Sequence, residues 1–346
     1  MGKMVTIRKP FEIEIEDFAE APLQSNQVRI KTQYSGISAG TELTVYRGNN
    51  PFSKKKWNAE LHIFEPSAEP SMRYPVPGGV GYEEVGVVAE LGSAVQEIHI
   101  GDVVYGAWGH RSSHTVTEDY AKVHRLPKEL DPICGIFAQM GAIGLNAILD
   151  ADIHIGETVA IFGQGVPGQI VAQLAKQNGA TVIAVDLDDW RLAQSCRFGA
   201  DIALNSRNCD VAREIKQMTE GRGADICIEI SGVSAALHEA IRAVAYSGRV
   251  VCSGFMPGSA DGLFLGEEFH HNRINIVGSQ INGLAPHLTY RWDRIRMEQT
   301  IMKLQQTGQI DLKSLITHRV QLDQVAQAFD RLHRGAEPSL QVVMEF

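Results

Sequence analysis

Three glycines and one aspartate carry the clearest chemical signal in this chain of 346 residues. Gly163, Gly165 and Gly168 follow a short apolar run, and a segment with helical periodicity comes directly after them. A second apolar run then ends on Asp186. This strand–turn–helix–strand order is typical of a βαβ unit that binds a dinucleotide.

Each glycine has a separate task in such a turn. Gly163 allows a tight reversal, Gly165 lets the backbone approach a pyrophosphate, and Gly168 lets the helix pack close to the strand. Val166 and Pro167 lie between them, where the helix begins and directs free N–H groups and a positive dipole end at phosphate. We expect all five residues to bind the cofactor.

The acid at the end of the second strand bears on which cofactor is bound. A carboxylate at Asp186 can accept hydrogen bonds from both ribose hydroxyls, whereas a 2′-phosphate would meet a like charge. The sequence therefore favours NAD(H). The alternative interpretation is a glycine turn that only packs a helix in an α/β protein and binds nothing.

Composition and charge exclude several classes of partner. The net charge of -9 at pH 7 and the isoelectric point of about 5.7 argue against nucleic acid and anionic membranes. No apolar run approaches the roughly 18 residues that a membrane span needs. The N-terminal residues carry frequent charges and lack an apolar signal core. We expect a cytoplasmic protein with a small-molecule substrate.

The cysteines are scattered and odd in number, and no two of them form a CxxC pair. This pattern predicts reduced thiols, with neither a disulfide framework nor a structural zinc lobe. The five are Cys134, Cys196, Cys209, Cys227 and Cys252.

The pattern of apolar residues changes along the chain. Up to about residue 130, short runs such as VRIKTQYSGIS and VGVVAEL predict a β-rich part. From Ile133, apolar runs alternate with helical patterns, which is typical of a doubly wound parallel sheet. The polar stretch 49–77 is predicted to be either a loop or lid near a site or a surface insertion.

Ligands of a doubly wound sheet bind at the carboxyl ends of its strands. Several further residues fall at those ends, and we expect them to contact the cofactor. They are Ser231, Gly232, Ser253, Gly254, Phe255 and Ser279.

The whole order of motifs resembles the medium-chain dehydrogenase/reductase superfamily, in its zinc alcohol dehydrogenase-like group. PGGVGYEEVGVVAELGSAV followed by GDVVYG is similar to the region around the superfamily's His-Glu zinc ligands, and IGETVAIFGQGVPGQIVAQLAKQNGATVIAVD is similar to its cofactor segment. The resemblance implies a GroES-like β-barrel catalytic domain over residues 1–135 and 282–346. It also implies a Rossmann NAD-binding domain over 136–281, with Arg191 beside the adenosine ribose.

The segment YSGISAGTEL resembles the subgroup that contains the bacteriochlorophyllide hydroxyethyl dehydrogenase, with sorbitol and threonine dehydrogenases as more distant relatives. The resemblance implies an NAD(H)-dependent oxidoreductase that interconverts a secondary alcohol and a ketone. It also implies a homodimer or homotetramer formed through the last strand of the cofactor sheet. Two alternatives are a zinc-free enoyl or quinone reductase and a catalytically weak nucleotide-binding protein.

The chain departs from the superfamily at the zinc ligands. Ala39 stands where zinc-containing members have Cys, Tyr82 replaces the His, and Gln139 takes the third position, so that only Glu83 matches. Because zinc requires thiolate, imidazole or carboxylate donors in a tetrahedral array, we expect no catalytic zinc.

A metal moved to a new site is the alternative. The residues that would then hold it are His110, His114 and Glu42.

Without zinc, hydrogen-bond donors or a general acid/base must act on the substrate oxygen. By resemblance, Thr41 supplies the hydroxyl that touches this oxygen, and the Tyr82 phenol points into the former metal cavity, with Glu83 or Glu42 as its proton partner. His110 is a further candidate, for contact with substrate or cofactor. The alternatives are that Tyr82 only fills the cavity, that Glu42 is a structural carboxylate and that His110 is an ordinary surface or core histidine.

Overall fold

The computed structural model of the protein describes all residues from Met1 to Phe346. Its strands are β1 (Gly2–Lys9), β2 (Glu12–Phe18), β3 (Gln27–Ile37), β4 (Lys55–Asn58), β5 (Ile63–Pro66), β6 (Val76–Pro77), β7 (Glu84–Leu91), β8 (Val103–Gly106), β9 (Ser113–Thr117), β10 (Thr158–Phe162), β11 (Thr181–Asp186), β12 (Ile202–Asn205), β13 (Ala224–Glu229), β14 (Val244–Cys252), β15 (Asn275–Gly278), β16 (Ile316–Gln321) and β17 (Gln341–Glu345).

The helices are α1 (Ala39–Arg47), α2 (Glu118–Val123), α3 (Phe137–Ala151), α4 (Val166–Gln177), α5 (Asp189–Arg197), α6 (Val211–Met218), α7 (Ser234–Ala243), α8 (Arg294–Gln306) and α9 (Val325–Arg334). Short helical turns cover Pro51–Ser53, Pro132–Ile136, Leu265–Phe269, Pro286–Leu288, Lys313–Leu315 and Leu322–Gln324.

The chain forms two compact units. The first contains Met1–Gln139 and Ile316–Phe346, and the second contains Met140–Leu315. The sequence predicts the return to the first unit at 282, whereas residues 282–315 lie with the second unit. One reason is that the Gln173 side chain bonds to both the N–H of Asp311, at 2.7 Å, and its carbonyl, at 3.2 Å.

The first unit is β-rich, as its short apolar runs predict. β3 is its central strand and pairs antiparallel with β7, β9 and β17, while β16 joins β17 in parallel. A separate three-stranded sheet has the order β2-β1-β6. Val28 and Ile30 on one part of β3 are fully buried in a cluster with Val88 and Val104, so that β3, β7 and β8 share one apolar face.

The second unit contains the predicted doubly wound parallel sheet, which is therefore confirmed. Its six strands have the order β12-β11-β10-β13-β14-β15, and every neighbouring pair is parallel. The strand order reverses between β10 and β13, which makes a topological switch point at their carboxyl ends. Residues Val159–Phe162 of β10 are all buried, as expected for a central strand covered on both faces.

One apolar segment is longer than the sequence analysis expects. The turn Pro132–Ile136 and α3 run on as a helical stretch of 20 residues, Pro132–Ala151, with a mean hydropathy of 1.6. By length and composition alone it could cross a membrane, so the expectation that no such run exists is wrong. The stretch is 78% buried inside the protein, and Ile133, Ile136 and Phe137 have no exposed surface, which is typical of a core helix.

The polar stretch 49–77 has more regular structure than a plain loop. β4 and β5 form a hairpin in it, with Trp57 paired opposite Phe64. Their rings lie 4.9 Å apart and remain 39% and 41% exposed. The hairpin lies in the segment that connects α1 to β6.

Candidate functional site

The glycine turn of the second unit has the close contacts that its residue types predict. Gly163 follows β10 with a φ of +101°, a conformation that side chains rarely adopt. A Cβ on Gly168 would lie 1.9 Å from the Gly163 carbonyl oxygen, so α4 can pack against the turn only with glycine there. Gly165 is the N-cap of α4 and offers no side-chain cap, which leaves the N–H of Val166 and those that follow Pro167 open to an anion, whereas Pro167 itself has no N–H.

Asp186 ends β11 beside this turn. Its Oδ2 accepts the backbone N–H of Gln164 at 2.6 Å, and its Oδ1 accepts those of Leu187 and Asp188 at 2.7 and 3.0 Å. Because a carboxylate has about four acceptor positions, one on Oδ2 is left for a ribose hydroxyl. The carboxylate thus stabilises the glycine turn and keeps one acceptor position free.

A buried network of side-chain amides and a hydroxyl adjoins the turn, and the sequence does not predict it. The Gln169 amide donates to the Ser195 hydroxyl at 2.8 Å, and Ser195 donates to the Gln164 side chain at 2.8 Å. Gln169 also donates to the Arg191 carbonyl at 3.0 Å. Arg191, predicted to flank the ribose, has a buried Nε without a hydrogen-bond partner. The sequence shows no motif that marks these polar residues as hydrogen-bond partners of one another.

Glu229 is a second residue that sequence reasoning missed. It ends β13, and its carboxylate accepts the N–H groups of Ser231 and Gly232 at 2.7 and 2.9 Å. Its backbone carbonyl accepts those of Ser253 and Gly254, after β14, at 2.8 and 3.0 Å. Burial raises the pKa of Glu229, which the hydrogen bonds partly offset. One residue thereby ties together two of the predicted cofactor loops.

The remaining predicted cofactor residues lie at the same sheet edge. The Ser279 N–H donates to the Cys252 carbonyl at 2.9 Å, and its hydroxyl accepts from Asn146 of α3 at 3.1 Å. Phe255 is 43% exposed beyond β14. The glycine turn, the carboxylate of Asp186 and these loops meet at the carboxyl ends of the parallel strands, an arrangement that fits a dinucleotide.

The first unit brings together three hydroxyl groups. Ser38, the N-cap of α1, forms a short hydrogen bond with the Tyr82 phenol. The Thr41 hydroxyl, in the first turn of α1, lies 3.4 Å from the same phenol oxygen. Burial and the charge of Glu83 raise the pKa of Tyr82, so the phenol is protonated at neutral pH. Tyr82 is therefore a hydrogen-bond donor held between two other hydroxyls.

A fully buried ionisable chain lies behind these hydroxyls. His110 Nε2 lies 2.5 Å from Glu42 Oε2, and its Nδ1 lies 2.7 Å from the Ser35 hydroxyl and 3.8 Å from Glu84 Oε1. None of these four residues has exposed surface. Both ring nitrogens of His110 have hydrogen-bond partners within the protein. This geometry favours a positioning role for His110 over the predicted contact with substrate. Ser35 and Glu84 were not expected.

The pKa values of Glu84, His110 and Glu83 are all raised, because these groups share one buried environment. Burial raises the pKa of Glu84 to about 6, although His110 and the Trp108 N–H act against it. Burial alone would lower the pKa of His110, but the charge and hydrogen bond of Glu42 outweigh it and raise the value. Burial and the charge of Glu42 hold the pKa of Glu83 well above its ordinary value.

Glu83, the one residue that matches a zinc ligand, faces an amide. Its Oε2 accepts from the Gln341 side chain at 2.9 Å. With Ala39 offering no donor atom and the Tyr82 phenol bound to Ser38, the positions that would ligate zinc do not fit that ion.

A relocated metal at His110, His114 and Glu42 is not supported either. The group of three side chains whose donor atoms are arranged as a metal ion would need them is instead His238, Glu267 and Glu268 in the second unit. His114 stacks on Trp108 with the rings 5.6 Å apart.

Comparison with known proteins places the chain in a family. The model described as alcohol dehydrogenase GroES-like domain matches residues 24–155, and the model described as zinc-binding dehydrogenase matches 167–296. The D-guloside 3-dehydrogenase of Escherichia coli (strain K12) is 32% identical over 320 residues, which cover 91% of each protein. The chain belongs to the medium-chain dehydrogenase/reductase superfamily, in its zinc alcohol dehydrogenase-like group.

Other relatives agree with this membership. The (R,R)-butanediol dehydrogenase of Bacillus subtilis (strain 168) is 26% identical over 342 residues, with 91% of each protein covered. The crystal structure of 2R,3R-butanediol dehydrogenase from Bacillus subtilis superposes with a TM-score of 0.79, at 23% identity, over 100% of both chains. The expected combination of a GroES-like domain and a Rossmann domain is confirmed.

The close approach at Gly168 predicts a cofactor phenotype. In Gly168→Ala, the new Cβ would force α4 away from the turn, at a cost of about 1–3 kcal/mol. If that cost falls on the binding-competent geometry, NADH affinity drops by about 10- to 100-fold, measured by calorimetric titration. Gly258→Ala is the matched control, because nothing lies within 4 Å of its Cβ position. Equal NADH affinity in the two variants would contradict the predicted role of this turn.

The buried carboxyl Glu84 predicts a pH dependence of stability. Its folded-state pKa of about 6 exceeds the ordinary 4.5, so its stabilising contribution is complete below pH 4.5 and lost as the pH rises through 6. The difference corresponds to about 2 kcal/mol. Calorimetric Tm values of the wild type should therefore fall over this range more steeply than those of Glu84→Gln, with the exposed Glu60→Gln as control. Parallel curves for all three proteins would refute this assignment.

Proposed function

We propose that the protein is an NAD(H)-dependent oxidoreductase that interconverts a secondary alcohol and a ketone without catalytic zinc. The observation that carries this proposal is the buried Tyr82 phenol, which lies in hydrogen-bonding contact with Ser38 and Thr41 at the position where, by resemblance, zinc-containing relatives have a histidine. The site keeps the hydroxyl donors of an alcohol dehydrogenase while its metal-binding positions carry groups that zinc does not select.

The proposed chemistry separates hydride from proton. The bound nicotinamide would supply or accept the hydride at the carbinol carbon. The Tyr82 phenol donates its hydrogen bond, and then its proton, to the ketone oxygen during reduction, and Thr41 orients that oxygen. Ser38 shares a hydrogen bond with the phenol and so provides the group through which the proton is replaced. In the oxidation direction the relay is reversed: the alcohol passes its proton to the phenol oxygen while the phenol proton moves to Ser38, whose own hydroxyl proton is released to water.

Two features support the choice of cofactor and substrate class. Asp186 faces the ribose position with an acceptor and a negative charge, which favours NAD(H) over NADP(H). The relatives named above are dehydrogenases of a guloside and of butanediol, which supports a hydroxylated aliphatic or sugar-like substrate.

We also propose a homodimer or homotetramer formed through β15, because this strand is an unpaired edge of the parallel sheet.

Replacing the phenol tests the proposal directly. In Tyr82→Phe, loss of the proton donor should lower kcat by about 100- to 10,000-fold, with the KM for NADH unchanged. Tyr74→Phe is the control, since that phenol bonds only to the Val45 carbonyl. Rates are measured on a panel of secondary alcohols and ketones, and metal content by mass spectrometry. An unchanged rate in Tyr82→Phe, or a stoichiometric zinc whose removal abolishes turnover, would overturn the proposal.

The same panel separates the alternatives. Turnover of activated alkenes or quinones only, with NADPH preferred, would identify an enoyl or quinone reductase. Tight NADH binding without turnover of any substrate would identify a nucleotide-binding protein.

The cofactor preference has its own test. Asp186→Ser combined with Leu187→Arg removes a charged acceptor, worth about 1.5–3 kcal/mol, and adds a partner for a 2′-phosphate. We expect the ratio of the NADPH and NADH dissociation constants to shift toward NADPH by about tenfold or more. Leu187→Arg alone is the control for added charge. An unchanged ratio in the double variant would show that Asp186 does not select the cofactor.

A further inference from the structure

The buried chain Glu42–His110–Ser35–Glu84 has a hydrogen-bond pattern that determines the charge of its histidine. The Ser35 hydroxyl has one proton, and it lies 3.0 Å from Glu84 Oε1 and 2.7 Å from His110 Nδ1. An ionised Glu84 can only accept, so Ser35 donates to it and must in turn accept from Nδ1–H. The opposite nitrogen, Nε2, faces Glu42 at 2.5 Å, and an ionised carboxylate also accepts only.

With both carboxylates ionised, this accounting puts a proton on both ring nitrogens of His110. The second oxygen of each carboxylate also accepts a hydrogen bond: Glu84 Oε2 accepts the Trp108 N–H at 2.8 Å, and Glu42 Oε1 accepts the Ser38 N–H at 2.7 Å. A buried cation between two buried anions satisfies the requirement that interior charges be paired.

Two glycines leave the space that the His110 ring occupies. A Cβ on Gly81 would lie 2.6 Å from His110 Cε1, and one on Gly79 would lie 3.2 Å from Cδ2. Two glycines of the segment that precedes Tyr82 therefore leave space for the imidazole. The two flanking carboxylates, Glu42 and Glu84, belong to α1 and β7, which follow Ser38 and Tyr82 in the chain.

We propose that His110 is an internal imidazolium that takes over the positioning work of a metal cation in this site. Its charge holds Glu42, Glu42 holds the Ser38 N–H at the start of α1, and Ser38 holds the Tyr82 phenol. His110 is thus a positioning residue, because no exposed surface allows it to touch substrate. The role in catalysis rests on the proposed function, whereas the charge of the ring does not.

The charge is measured first, in the intact protein, without any assay of activity. Imidazole ¹⁵N chemical shifts at pH 7.5, with the signal assigned by its loss in His110→Gln, should show both nitrogens of His110 protonated. In Glu84→Gln, which keeps the ring and removes one anion, the signal should convert to the neutral form at lower pH than in the wild type. A neutral His110 at pH 7.5 in the wild type would overturn the proposal.

Positioning is measured through the Tyr82 phenol. In His110→Gln the ¹³Cζ signal of Tyr82 should shift, and kcat should fall by about tenfold or more while the KM for NADH stays the same. His110→Asn and His110→Lys separate the effects of size and charge, and we expect kcat to recover partly, relative to His110→Gln, only in His110→Lys. His114→Gln, four residues away and stacked on Trp108, is the matched control.

The outcomes separate this inference from the proposed function. A protonated His110 with a coupled Tyr82 signal, in a protein that turns over no alcohol or ketone, would support the internal cation and defeat the proposed function. An active secondary-alcohol dehydrogenase in which His110→Gln leaves the Tyr82 signal and kcat unchanged would defeat the inference and leave the function in place.

Discussion

The hydrogen bond between His110 and Glu42 is the interaction on which the first unit's candidate site depends. Glutamates at 42, 83 and 84 are buried within one region, and isolated buried charges cost several kcal/mol each. One carboxylate is paired with the imidazole, one is reached through Ser35, and the third has a strongly raised pKa and faces an amide. Because these charges are matched internally, the site is organised by residues of the chain itself.

The second unit depends on a constraint of a different kind. Its ligand edge is made mostly of backbone groups: the open end of α4, the N–H groups gathered by Glu229, and the turn at Gly163. Side chains such as Asp186 and Glu229 act by holding those backbone groups in place as much as by meeting a ligand. A phosphate-binding edge of this kind tolerates wide variation in sequence provided that its glycines and its strand order remain.

The two units also differ in how much the sequence reveals. The glycine turn, the acid after it and the alternating runs predict the parallel sheet, because each is a local pattern with a fixed period or spacing. The buried partners Gln164, Gln169 and Ser195 show no such pattern, because the sequence does not distinguish a buried polar side chain from an exposed one until its neighbours are known. Likewise the sequence predicts the return to the first unit at 282, whereas α8 lies with the second unit, where Ile301 packs against Gly141 of α3, a contact between residues far apart in the chain.

By itself, the sequence determined the family and the cofactor turn and predicted the loss of the usual zinc ligands, all of which follow from residue types at short spacing. Only the tertiary structure decided that Ser38, 44 residues from Tyr82, reaches its phenol, and that His110 lies between Glu42 and Glu84 rather than at the surface. The physical reason is that burial and pairing of charge are properties of the packed interior, where residues distant along the chain share one environment of low polarity.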